Sequence, residues 1–152
     1  MTAIVYTPAD LDTTVRTVDG EAEGEGEIGQ AAVAWVIRNR AEHPSWEGTT
    51  PHDVCMKHFQ FSCWNGGPDT DRILKLDPLC GRYQGIKSIV LDVFTGRWPD
   101  LTGGATEYKV TGTRASWDAA VASIPPRIIG HHSFWRLTPG GQVLPFIDED
   151  QS

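Results

Sequence analysis

The sequence predicts a single α+β domain, mostly helical, with a short β-hairpin or small sheet. Three observations lead there. Apolar residues recur at helical spacing in the stretches before Gly96. Strand-like alternation and β-branched or aromatic enrichment appear only after Gly104. The 152 residues contain no internal repeat and no dividing linker, so one core is expected over about residues 8–137, with a tail over 138–152.

The first helix is expected to start near Pro8, a residue suited to a first helical turn, and to fade at Gly20 or Gly24. Leu11, Val15, Val18 and Ala22 share its face. From Ile28 to Ile37 almost every residue is small or apolar, the pattern of a helix buried all round. That helix ends before Pro44, with Arg38 and Arg40 at the end of the helix dipole that favours cations. Thr50 and Pro51 then form a cap and first-turn pair, with Asp53 following.

QFSCWNGGPDTDR reads as a loop, and Asp77-Pro78 as the opening of another helix. Leu79, Tyr83, Ile86, Val90, Val93 and Phe94 line one face of that helix, and Gly96 follows its end. Alternating Thr106, Tyr108 and Val110 predict a short strand or hairpin. SWDAAVASIPP predicts a short helix, RIIGHHSFWRL a final strand or extended segment, and GGQVLPFIDEDQS a loosely packed tail.

Composition narrows the function. A net charge of −7 argues against nucleic acid as a partner, because phosphate binding needs a basic surface. No run of 18 apolar residues exists, so membrane insertion is not expected. The opening MTAIVYTPADLD lacks a basic start and apolar core, so synthesis in the cytoplasm without a signal peptide is expected. Six tryptophans suit either a groove for a ring-shaped ligand or an ordinary core. The odd cysteine count, Cys55, Cys63 and Cys80, suggests reduced thiols, while a Cys63–Cys80 bridge stays open for an oxidising compartment.

GEAEGEGEIGQ, from Gly20 to Gln30, holds four glutamates and four glycines just before the buried helix. Glu21 and Glu25 would share a face of an unbroken helix, as would Glu23 and Glu27, but Gly24 and Gly26 favour a helix end and a tight passage. Two readings follow. One is an acidic solvated loop. In the other, one carboxyl is half-buried beside its neighbours and keeps its proton to higher pH, as a general acid for glycoside cleavage must.

The surrounding residues bring in a resemblance. Glu21-Ala22-Glu23-Gly24-Glu25, then Gly29-Gln30, then a small-residue helix ending in Asn39-Arg40, resembles the signature of the cell-wall hydrolase family that includes the spore-cortex-lytic enzymes. Gln60-Phe61-Ser62 with Cys63-Trp64 is similar to that family's Gln-Phe-Ser segment. Gly104-Ala105-Thr106-x-Tyr108 is similar to its Gly-Ala-Thr-His-Tyr segment. Ser116-Trp117 and Ile129-Gly130-x-His132-x-Phe134 resemble its closing motifs, so the likeness spans about residues 10–136.

The resemblance implies a lysozyme-like fold and action on peptidoglycan glycan strands, as a lytic transglycosylase or a muramidase. By position Glu21 matches the catalytic acid and Glu25 the second acidic position. Two departures add negative charge: Glu23 stands where an arginine is common, and Glu107 where a histidine is common. Near Glu21 they would raise its pKa further.

Phe61, Trp64, Tyr108 and Trp117 are candidates to line a sugar groove, each with a core role as the alternative. Gln60, Ser62 and Thr106 are candidates to bind N-acetyl or hydroxyl groups, or else cap local turns. His132 either donates to substrate or ties the final segment to the core.

No cofactor is implied. His52, Cys55, His58 and Cys63, with His131 and His132 downstream, offer a zinc reading, but their spacing matches no common structural site and no metal is assigned. An acidic wall enzyme gains no association rate from its charge. That suggests a bacteriophage origin, as a late endolysin or an enzyme carried among other phage particle proteins. The rival class is a non-catalytic glycan-binding or structural tail component, kept open by Glu23 and Glu107. No paired metal motif or Cys-His signal supports a peptidase.

Overall fold

The computed structural model describes residues 2–43, 48–57 and 60–148. In chain order the elements are helices α1 (Pro8–Glu21), α2 (Glu27–Glu42) and α3 (Pro51–Met56), a 3-10 turn (Ser62–Trp64), and helices α4 (Pro68–Leu74) and α5 (Gly81–Thr95). Strand β1 (Glu107–Val110), helix α6 (Asp118–Val121) and strands β2 (Arg127–Ile129), β3 (His132–Leu137) and β4 (Val143–Leu144) follow. This is the mostly helical α+β class expected.

Helix α1 begins as its sequence requires. Thr7 Oγ1 accepts from the Asp10 N–H and the Asp10 carboxylate accepts from the Thr7 N–H, a closed capping box ahead of Pro8. Such a cap contributes about 1 kcal/mol. Val15, Val18 and Ala22 are buried on the face that the spacing assigned to them. Helix α2 is buried from Gly29 to Arg38 apart from Gln30, although Ile28 in its first turn is exposed. It lies at the centre, packed against α1, α3 and α5. The buried side chains Val33, Ile37, Ile86, Val90, Phe94, Val54 and Ile73 fill the space between them. Each contributes about 1.5–3 kcal/mol through removal from water.

Two polar residues near the end of α2 tie it to its surroundings, Asn39 towards the sheet side and Arg38 towards α5 and the N-terminal segment. Asn39 Nδ2 donates to Asp100 Oδ2 (2.9 Å) and to the Ala105 carbonyl (3.0 Å). Asp100 in turn accepts from the N–H groups of Thr102 and Gly104, closing the turn that leads into β1. Arg38 is buried with its guanidinium over the Trp35 ring and donates to the Val93 and Thr2 carbonyls.

All the pairings of the sheet are antiparallel, with β3 between β1 and β2 and with β4 added to its far end. Phe134 and Tyr108 face the helices, where Ala32 and Val36 receive them. Trp135, Leu137, Val121 and Trp117 form a second apolar cluster.

The structure departs from expectation in several places. The Gln60–Arg72 stretch is not a plain loop: it holds the 3-10 turn and the start of α4. Pro68 at a first helical position and Asp69 and Asp71 in the first turn are a helix start, and Ile73 gives that helix its buried anchor. Helix α5 starts at Gly81, not Asp77-Pro78. Residues 77–80 make a turn, Cys80 caps the helix, and Leu79 is 86 % exposed, off the apolar face.

RIIGHHSFWRL is not one strand but the hairpin of β2 and β3, with Ile129 opposite His132 across Gly130-His131. Gly130 has φ +58°, the conformation that lets the chain reverse there. The tail is more ordered than expected up to residue 148. Strand β4 pairs with β3, the Ile147 N–H donates to the Gly103 carbonyl (2.7 Å), and Asp148 pairs with Arg127 (2.8 Å). Cys55, Cys63 and Cys80 carry free thiols. Burial pushes the Cys55 thiol up to about 12 and raises that of Cys63 as well.

Candidate active site

Helix α1 delivers Glu21 as its last residue. Gly20 just before it is required by packing. A Cβ there would lie 2.5 Å from Cys63 Cβ, so only glycine lets the end of α1 lie against the 3-10 turn. That turn is itself pinned. Trp64 Nε1 donates to the buried Thr17 hydroxyl (2.8 Å), which donates to the Thr13 carbonyl (2.7 Å). Thr70 Oγ1 donates to the Cys63 carbonyl (2.7 Å). Ser62 is thereby held with its hydroxyl 3.4 Å from Glu21 Oε2.

Burial dominates the electrostatics of Glu21. It raises the carboxyl from the usual glutamate range to about 7. Hydrogen bonds from Ser62 and the charge of Arg40 oppose that rise, and Asp69 adds to it. A glutamic acid with this balance is partly protonated near neutral pH and can give a proton to an oxygen brought against it. Of the second reading of the acidic stretch, the half-burial is present, but the neighbouring glutamates are not among the causes of the rise.

Arg40 is the cation nearest in effect, and sequence reasoning placed it at a helix end and in the Asn39-Arg40 close of the signature without a role at the site. It is buried, donates through Nε to the Thr106 carbonyl (2.6 Å) and through Nη1 to Gln60 Oε1 (3.0 Å), and lies 3.1 Å from Glu107 Oε2. Its guanidinium also stands over the Phe61 ring. An arginine inside an otherwise apolar helix was the available signal, because a buried charge must have partners.

The two departures from the family pattern are now placed. Glu107 is the ion-pair partner of Arg40, and burial raises its pKa while Arg40 and Lys57 lower it. Glu23 is exposed, 3.5 Å from Arg72. The charges acting most on Glu21 are those of Arg40 and Asp69, not these two glutamates.

Tyr108 is half-buried, with its ring edge-on to His132 (5.0 Å between centroids) and close to Phe134 (5.6 Å). Burial and the Glu21 charge together hold its phenol protonated. Glu25 crosses to the β2–β3 turn, where Oε1 accepts from the His131 N–H (2.9 Å). His132 is buried, and desolvation lowers its pKa so that the ring is neutral at pH 7.

Three residues expected in a sugar groove are committed elsewhere. Thr106 is 2 % exposed; its hydroxyl donates to the Leu137 carbonyl (2.6 Å) and accepts from the Leu137 N–H (3.0 Å), which ties β1 to β3. Phe61 is 2 % exposed within the helical core. Trp117 packs edge-on against Trp135 in the second apolar cluster, apart from the residues around Glu21. Of the other candidates, Gln60 bonds Arg40, Ser62 meets Glu21, Trp64 is held by Thr17, and Tyr108 and His132 lie against each other. Of the zinc reading, His58 lies outside the described residues. Among the described residues no group of three metal-binding side chains is arranged to hold an ion.

Residues 24–135 match the family model described as Cell Wall Hydrolase, a range that opens just after Glu21. The chain belongs to the cell wall hydrolase family. Within 130 aligned residues it is 33 % identical to the spore cortex-lytic enzyme of Halalkalibacterium halodurans, covering 85 % of this chain and 35 % of that enzyme. The chain thus spans about a third of the length of that relative.

Two solved structures share the fold of this chain. The catalytic domain of the Bacillus cereus SleB protein matches with a TM-score of 0.67 at 30 % identity, covering 88 % of this chain and 94 % of that one. The catalytic domain of the germination-specific lytic transglycosylase SleB from Bacillus anthracis matches with a TM-score of 0.66 at 30 % identity, over 85 % and 95 %. The fold is lysozyme-like α+β, as the resemblance implied.

Proposed function

We propose that this cell wall hydrolase cleaves peptidoglycan at the bond between N-acetylmuramic acid and N-acetylglucosamine, with Glu21 as general acid. The observation that carries this reading is the Glu21 carboxyl, poised near pH 7 by burial at the end of a packed helix. Glu21 gives its proton to the glycosidic oxygen as the bond from muramic C1 to that oxygen breaks. The carboxylate so formed takes the proton of the muramic 6-hydroxyl while O6 closes on C1. Glu21 is regenerated, no water is consumed, and the product carries a 1,6-anhydro end. This lytic transglycosylase course needs one acid because the substrate supplies the nucleophile. It is favoured here over hydrolysis by the likeness to the SleB of Bacillus anthracis.

The net charge of −7 offers no electrostatic attraction to an anionic wall, so the reading includes delivery by a phage particle or release at lysis. The test is incubation of the purified chain with peptidoglycan sacculi, followed by turbidity and mass analysis of released fragments. Anhydro ends are expected, and Glu21→Gln abolishes them. Reducing ends would assign a muramidase. Binding without soluble products would instead favour a non-catalytic glycan-binding protein.

A further inference from the structure

Glu25 occupies the second acidic position of the motif, yet its surroundings are those of a clamp. The chain leaves α1, turns at Gly24 with φ +81°, and sends the Glu25 side chain away from bulk water. That side chain is 6 % exposed. Its Oε1 accepts from the His131 N–H at 2.9 Å, with His131 Nδ1 at 3.2 Å. Its Oε2 lies where a Cβ at Gly130 would come within 2.1 Å and a Cβ at Gly29 within 3.1 Å. Two glycines and a hairpin turn therefore enclose the carboxylate. A nucleophile or base needs an open approach for a sugar carbon or a water.

The same carboxylate reaches the next ring. His132 Nδ1 stands 3.4 Å from Glu25 Oε1, too poorly aligned to form a hydrogen bond, and has no hydrogen-bond partner among the described residues. The His132 ring meets Tyr108 edge-on at 83°. Tyr108 packs into the core cluster that α1 and α2 share.

We propose that Glu25 is a positioning residue that locks the Gly130-His131 turn and, through His132, sets the Tyr108 ring against the core that α1 and α2 share, and that it takes no part as a second reacting carboxylate. The catalytic half of this inference rests on the proposed glycan cleavage; the structural half does not.

The test compares the parent chain with Glu21→Gln, Glu25→Gln and Glu25→Ala on peptidoglycan sacculi. In parallel, NMR follows the Tyr108 ring signals, assigned by Tyr108→Phe. Glutamine keeps an oxygen for the His131 N–H, so Glu25→Gln retains a maximal rate within about tenfold of the parent. Glu25→Ala raises the half-saturating amount of sacculi by about ten- to a hundredfold, the scale of a small misplacement near a reacting centre. It also shifts the Tyr108 signals, and Glu25→Gln restores both readouts.

A folded, sacculus-binding Glu25→Gln as inactive as Glu21→Gln would overturn the inference. So would a Glu25→Ala that loses thermal stability while Tyr108 signals and half-saturation stay at parent values. A parent chain that releases no fragments defeats the proposed function instead. The Tyr108 signals then decide alone, moving in Glu25→Ala if Glu25 positions that ring and staying put if it does not.

Discussion

Ser62 Oγ stands 3.4 Å from Glu21 Oε2, so a hydroxyl from the 60–64 segment meets the carboxyl that closes the first helix. The contact stabilises the ionised form of Glu21 against the larger effect of burial. An acid catalyst acts in its protonated form, so kcat/KM on soluble glycan fragments is expected to fall as pH rises through about 7. In Ser62→Ala the opposing hydrogen bond is lost and the alkaline limb moves to higher pH. A limb that moves down, or does not move, would show that Ser62 does not act on Glu21.

Removal of the Glu21 charge is expected to stabilise the fold at alkaline pH. The folded-state pKa is raised from 4.5 to about 7, so the folded chain binds more protons over that window and loses stability as pH rises through it. The full shift is worth about 3 kcal/mol, which partial contact with solvent reduces to about 1–2 kcal/mol. Urea midpoints of Glu21→Gln and the parent should coincide near pH 4.5 and separate at pH 8, with the variant the more stable.

Glu107 is expected to act on Glu21 through its ion pair with Arg40. In Glu107→Gln the Arg40 guanidinium loses a countercharge at 3.1 Å, and its positive field on Glu21 strengthens. The alkaline limb of activity should then move to lower pH, opposite to the Ser62→Ala shift. The pair of variants measured in one buffer series checks both signs at once.

Asp19 has no exposed side-chain surface, and its two oxygens pair with Arg72 of α4 (2.9 Å) and Arg82 of α5. Breaking a buried ion pair from one side costs about 3–5 kcal/mol. Both arginines can turn towards water, so Asp19→Ala is expected to cost about 3 kcal/mol, near the lower end. Denaturant unfolding reads this, and a loss below about 1 kcal/mol would place the interaction among ordinary surface pairs.

Helix α1, helix α2, the Thr50-Pro51 cap and the Gly96 stop were legible in the sequence because each is a local matter of spacing and end chemistry. The acidic passage and its family signature were legible for the same reason, as residues close in sequence. The β2–β3 turn was missed although Gly130 marks it, because β-branched residues on both sides read as one run. The start of α4 was missed because Gly66-Gly67 and the aspartates resemble loop composition as much as a first helical turn.

Only the tertiary structure decided what the glutamates do. Glu21, Glu23, Glu25 and Glu107 are the same residue type, and their surroundings and roles depend on partners far away in the chain. Ser62 and Arg40 act on the first, Arg72 stands by the second, His131 holds the third, and Arg40 pairs with the last. Desolvation and charge act through space, over a few ångströms, and the order of residues along the chain does not encode those distances.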